Sequence, residues 1–105
     1  MEFWASWCAP CRLINIDLRA KEQEYSSKGL QIIGFSLDQD AIGWKNAIVA
    51  DKIKWPNYSD LKATHSPLAK FLNLTEIPAN VLVNSDGIIV ARNVYGTDLE
   101  KIIFE

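Results

Sequence analysis

The chain has 105 residues, 49% of them hydrophobic, and a formal net charge of −2. That length holds one domain with a modest core, and the apolar content excludes a disordered chain. The weak acidity, with no basic run, argues against a nucleic-acid partner; no apolar stretch approaches the roughly 18 residues that span a membrane. No signal peptide is read ahead of the first motif.

Met1 to Ala5 is a short apolar run broken only by Glu2, and it reads as the end of a strand. Both cysteines follow in Cys8-Ala9-Pro10-Cys11. Pro10 suits a first helical turn, where its missing N–H has no partner to lose. From Cys11 the apolar residues Leu13, Ile14, Ile16, Leu18, Ala20 and Tyr25 predict one helical stripe, with Arg12, Asn15, Asp17, Arg19, Lys21 and Glu24 opposite it. Gly29 is placed to end that helix.

Leu30 to Leu37 is almost continuously apolar and predicts a strand buried on both faces, which completes a βαβ unit. Asp38 or Asp40 caps the next helix, whose inner face is Ala41, Trp44, Ala47 and Ile48. Lys54 to Asp60 contains Pro56 and is irregular or a short edge strand. Ser66-Pro67 opens a helix with Leu68, Phe71 and Leu72 on one face. Ile77-Pro78 precedes a strand from Asn80 to Asn84, and Ser85-Asp86-Gly87 turns it into Ile88 to Arg92. Thr97 to Glu100 has capping-box spacing, and Leu99, Ile102 and Ile103 pack the last helix. The order of elements predicts one α/β domain over residues 1–105, a mixed sheet flanked by helices.

Two cysteines three apart close too small a loop to staple a fold, so their use is local. Cys8 at a helix start faces unpaired N–H groups and the positive dipole end, which favours a thiolate. Cys8 is the expected nucleophile, and Cys11, one turn on and better shielded, resolves the mixed disulfide. Trp7 and Pro10 form an apolar collar for a peptide. Two other readings stand beside this one: an inert core pair, and a zinc site, for which only His65 joins the thiols without recruiting carboxylates.

Trp7-Cys8-Ala9-Pro10-Cys11-Arg12 after Glu2-Phe3-Trp4-Ala5, with Ile77-Pro78 ahead of a strand and a Ser85-Asp86-Gly87 hairpin, resembles the thioredoxin fold. The Trp44 helix, Trp55-Pro56 and Ser66-Pro67-Leu68-Ala69 resemble the insertion of the TlpA-like (AhpC/TSA-related) thiol–disulfide oxidoreductases. The resemblance implies that Pro78 is cis and faces the disulfide, and that the Ile77 backbone pairs with a substrate strand. It also sets Glu2 where thioredoxins bury a carboxylate beneath the resolving cysteine, as a proton relay; the alternative is a frayed, solvated Glu2 at the second residue.

Three departures accompany it. Gly34 stands where thioredoxins often carry a lysine. Ile14 stands where many TlpA-like enzymes carry a glutamate, and a proline usual further along that helix is absent. The family's upstream hairpin and most of its central strand are not in the sequence, so the chain reads as N-terminally truncated, with exposed strand groups that invite a homodimer.

The expected function is thiol–disulfide exchange through Cys8 and Cys11 with protein dithiols or disulfides. No bound cofactor is needed, since electrons come from a reductant partner protein; Ala9 and Pro10 tune the potential. A redox-inactive binding module and a peroxiredoxin-like peroxidase are the alternatives. Resemblance alone places the protein in the periplasm or cell envelope.

Overall fold

Glu2, Phe3 and Trp4 are all buried because they form the middle strand of the sheet. The computed structural model describes residues 1–104. In chain order the elements are β1 (Glu2–Trp4), α1 (Ala9–Ser27), β2 (Gly34–Ser36), α2 (Ala41–Ala50), β3 (Asn57–Tyr58), α3 (Pro67–Phe71), β4 (Ala79–Val83), β5 (Ile89–Arg92) and α4 (Gly96–Ile103). The sheet runs β3-β2-β1-β4-β5, with β1, β2 and β3 mutually parallel and β4 and β5 antiparallel to their neighbours. This is the thioredoxin-like α/β architecture.

Strand alternation divides the core in two. Trp4 packs with Ala5, both cysteines, Ile32, Ala47, Ile53 and Trp55. Phe3 points the other way, onto Leu72, Ala79 and Val81, with Phe35 6.1 Å from it between ring centroids. Gly34 lies between Glu2 and Asn57 in the ladder, and a Cβ there would meet the Asn57 side chain at 2.5 Å. Any larger residue must displace the Asn57 side chain, whose Oδ1 accepts from Trp4 Nε1 at 2.8 Å.

Several elements differ from the sequence expectation. The strand expected over Leu30 to Leu37 is only Gly34–Ser36, because the three residues of β1 give it no longer a ladder. Helix α1 starts at Ala9, with Cys8 as its cap, and ends before Gly29 at φ +89°, a left-handed position that suits glycine. Its faces are also reassigned: Asn15 is fully buried, whereas Leu13 is 68% exposed. Asp40, not Asp38, caps α2, accepting from the Ile42 and Gly43 N–H groups. Of the expected inward face of α3, Leu68 and the capping residue Leu72 do pack against the Phe3 cluster, whereas Phe71 is 83% exposed. The capping box at Thr97 does not form, since α4 begins at Gly96 and Glu100 is engaged by the Tyr25 hydroxyl at 2.9 Å.

Candidate functional site

The chain leaves β1, turns through Ala5 to Trp7 and enters α1 at Cys8. The Cys8 N–H donates to Ala5 O, and the Arg12 N–H to Cys8 O, so turn and helix are one hydrogen-bonded unit. Cys8 and Cys11 are joined in a disulfide, with Cα atoms 5.3 Å apart. Cys8 Sγ also accepts from the Cys11 N–H at 3.3 Å, so the sulfur itself caps the helix. A thiolate at this position meets the unpaired N–H groups of a 19-residue helix, which favour negative charge. Cys8 keeps 6% of its surface open and Cys11 none, so a partner has access to only one of the two sulfurs.

Trp7 is 69% exposed beside Cys8, and Ala9 and Pro10 are exposed on the next turn. Ile77 packs against the cluster that holds both cysteines, and the Ile77–Pro78 peptide bond is cis. Trp7 and Ile77, with Leu37, Ala63, Ala69 and Leu74, line a cavity of about 280 Å³. The structure thus brings Trp7, Cys8, Cys11, Ile77 and Pro78 to one end of the sheet. His65 ends the exposed 3₁₀ turn Ala63–His65, and the sulfurs it was to join as zinc thiolates are bonded to each other.

Glu2 is 4% exposed on β1, inside the molecule rather than frayed. Burial pushes its pKa up to about 8; the nearby Met1 ammonium acts in the opposite sense. Asn15 lies across from it on α1. Were its amide oxygen turned inward, it would face two carboxylate oxygens; with the nitrogen inward, it donates to Glu2 Oε1 and Oε2 at 2.7 and 2.6 Å. Cys11 and Asn15 stand four residues apart on one face of α1, about one helical turn, so the residue that meets Glu2 lies one turn beyond the resolving cysteine. Gly34, beside Glu2 in the ladder, offers no lysine to this carboxylate.

A second polar set fixes the loop before Cys8. The buried Asp38 carboxylate accepts from the Ser6 N–H at 3.1 and 3.2 Å, from Ser6 Oγ at 2.6 Å and from Ser36 Oγ at 2.5 Å. Arg12 donates to Asp51 through Nε and Nη2 and to Ser6 O through Nη1. Sequence reasoning gave neither Asn15 nor Asp38 a part in the site. The spacing of Asn15, four beyond Cys11, is the one signal that was available for it.

Residues 1–89 match the thioredoxin-like family. Among curated proteins, the thiol-disulfide oxidoreductase ResA of Bacillus thuringiensis is 26% identical over 90 residues, 86% of this chain and 50% of that protein. ResA of Bacillus subtilis is 23% identical over 105 residues, the whole chain and 56% of that protein. The chain therefore spans about half the length of the curated relatives it matches. Among solved structures, a thiol-disulfide oxidoreductase from Bacteroides fragilis is 34% identical with a TM-score of 0.89, covering 98% of this chain and 76% of that one. The thioredoxin domain of a thiol-disulfide oxidoreductase from Bacteroides vulgatus is 29% identical with a TM-score of 0.86, covering 98% and 74%.

Proposed function

The chain belongs to the thioredoxin-like family, and on that premise we propose that it exchanges its Cys8–Cys11 pair with the dithiols or disulfides of other proteins. The observation that carries the reading is the asymmetry of the pair: Cys8 at the surface on a helix start, Cys11 buried one turn behind it.

In the reducing direction the Cys8 thiolate attacks a substrate disulfide. A Cys8–substrate disulfide forms and one substrate thiolate leaves. The Cys11 thiolate then attacks Cys8 Sγ, the internal disulfide forms, and the second substrate thiolate leaves. Two electrons pass from the Cys8–Cys11 dithiol to the substrate, and a reductant partner protein restores the dithiol by the same steps reversed. Glu2 is assigned the proton that Cys11 loses, because a buried carboxyl with a pKa of about 8 accepts a proton near neutrality and returns it. Trp7, Pro10 and the Ile77–Pro78 segment are assigned to the substrate backbone flanking its cysteine, with Ile77 as the pairing residue.

We assign the exchange to the periplasm or cell envelope, the kind of compartment in which protein disulfides persist. Among the described residues no helix is long and apolar enough to cross a membrane.

The test is insulin reduction under dithiothreitol. Cys8→Ser abolishes the protein-dependent rate, whereas pre-reduced Cys11→Ser, mixed with substrate disulfide after the dithiothreitol is removed, accumulates a covalent complex between Cys8 and substrate that is visible by mass spectrometry. Full turnover by Cys8→Ser overturns the mechanism.

A further inference from the structure

Asn15 is a polar side chain with no exposed surface, on a helix whose apolar Leu13 faces solvent. A buried amide costs free energy unless it is paired, and its partner here is the other buried polar group on this face, Glu2. The pairing is directional. With the amide nitrogen turned inward, the orientation that a charged carboxylate requires, it lies 2.7 and 2.6 Å from the two carboxylate oxygens and donates to them.

We propose that Asn15, one helical turn beyond Cys11, is the positioning residue of the site, holding the Glu2 carboxylate in its charged form. The proposal rests on the reading of Glu2 as the proton acceptor for Cys11, and it deepens that reading. The net step served is Cys11 S–H plus Glu2 carboxylate giving Cys11 thiolate plus Glu2 carboxylic acid, the proton passing through one solvent water that is left unchanged.

The surroundings leave this task to Asn15. In the ladder Glu2 is flanked by Gly34 on β2 and Asn80 on β4, and neither is charged. The Asn80 amide is already committed to Val94, donating to its carbonyl at 2.7 Å and accepting from its N–H at 3.1 Å. The titratable groups around Glu2 are the Met1 ammonium just ahead of β1, Tyr95 ahead of α4, and Asp17 and Tyr25 on α1, which line the same cavity of about 340 Å³; the Tyr25 hydroxyl is committed to Glu100. The Met1 amino group donates to Val81 O at 2.8 Å. Tyr95 has its hydroxyl pKa raised by burial and then by the Glu2 charge. Asn15 is thus the side chain that donates hydrogen bonds to the carboxylate among the described residues. Burial drives Glu2 towards its neutral form; the amide opposes that and keeps the proton exchangeable near neutrality.

The experiment is a ¹³C NMR titration of Glu2 in the reduced protein, in wild type and in Asn15→Leu, beside the pH profile of the Cys11-dependent step. Losing a donor to the charged form moves the Glu2 midpoint up by about one pH unit. The release of substrate by Cys11 shifts upward with it, while alkylation of Cys8 keeps its own profile. A Glu2 midpoint unmoved in Asn15→Leu overturns the proposal. Should that variant not fold, the wild-type protein decides alone: the Asn15 side-chain amide resonances must titrate with the Glu2 midpoint, and an amide indifferent to it overturns the proposal equally. The underlying reading fails separately. If Glu2→Gln resolves the mixed disulfide at wild-type speed, Glu2 does not take the proton, even where its midpoint follows Asn15.

Discussion

Arg12 and Asp51 form a two-pronged ion pair, Nε to Oδ2 at 2.7 Å and Nη2 to Oδ1 at 2.9 Å. Asp51 is the residue that closes α2, so the pair ties the first turn of the disulfide-bearing helix to the end of the next one. The third Arg12 nitrogen reaches back to the Ser6 carbonyl at 3.3 Å, in the loop that presents Cys8. One side chain therefore braces both sides of the site.

Arg12→Ala removes this brace. With the arginine side chain a third exposed and Asp51 nearly buried, the loss is about 1–2 kcal/mol, discounted for solvent screening. Arg12→Lys does not restore it, because an ammonium cannot match the planar fork. Urea denaturation of the three proteins checks both statements.

Glu2 makes stability fall with rising pH. Its folded pKa of about 8 lies above the ordinary 4.5, so between these values the unfolded chain holds fewer protons than the native one. Stability from this residue is full below about pH 4.5, declines through the interval, and levels off above about 8. The total change is on the order of a few kcal/mol. Glu2→Gln flattens that slope, so its melting temperature exceeds that of wild type by a larger margin at pH 8.5 than at pH 5. Parallel melting curves across this range would contradict the assignment.

Asp38 anchors the loop ahead of Cys8 through Ser6 and Ser36. Asp38→Ala leaves those donors unpaired in a buried place and costs roughly 2–4 kcal/mol. Trp7 loses its fixed setting with the loop, so its fluorescence change on disulfide reduction should shrink. Chemical denaturation and a fluorescence-monitored redox titration measure the two effects.

Gly34→Ala forces a methyl group against Asn57 at 2.5 Å. The asparagine must move and give up its bond with Trp4 Nε1, at a cost of about 1–3 kcal/mol. The double variant with Asn57→Ala recovers part of the loss, which a thermodynamic cycle resolves.

The sequence by itself determined what depends on neighbours along the chain. A cysteine pair at a change of hydrophobic period, a proline in the first turn and a glycine after the last are local signals, and they marked the limits of α1 to within two residues. The alternation around Ser85-Asp86-Gly87 likewise located the hairpin, because turn chemistry is local. Tertiary structure decided everything that needs a partner from elsewhere. β2 shortened to Gly34–Ser36 because a ladder is only as long as the neighbour that accepts it. Asn15 faces inward and Leu13 outward, in step with helical spacing from Cys11 but against the hydrophobic pattern, and the buried partner that the amide meets is the Glu2 carboxyl group on β1. A hydrophobic pattern records which residues avoid water. It does not record which buried polar groups must find each other, and that pairing is settled only when the helix lies on the sheet.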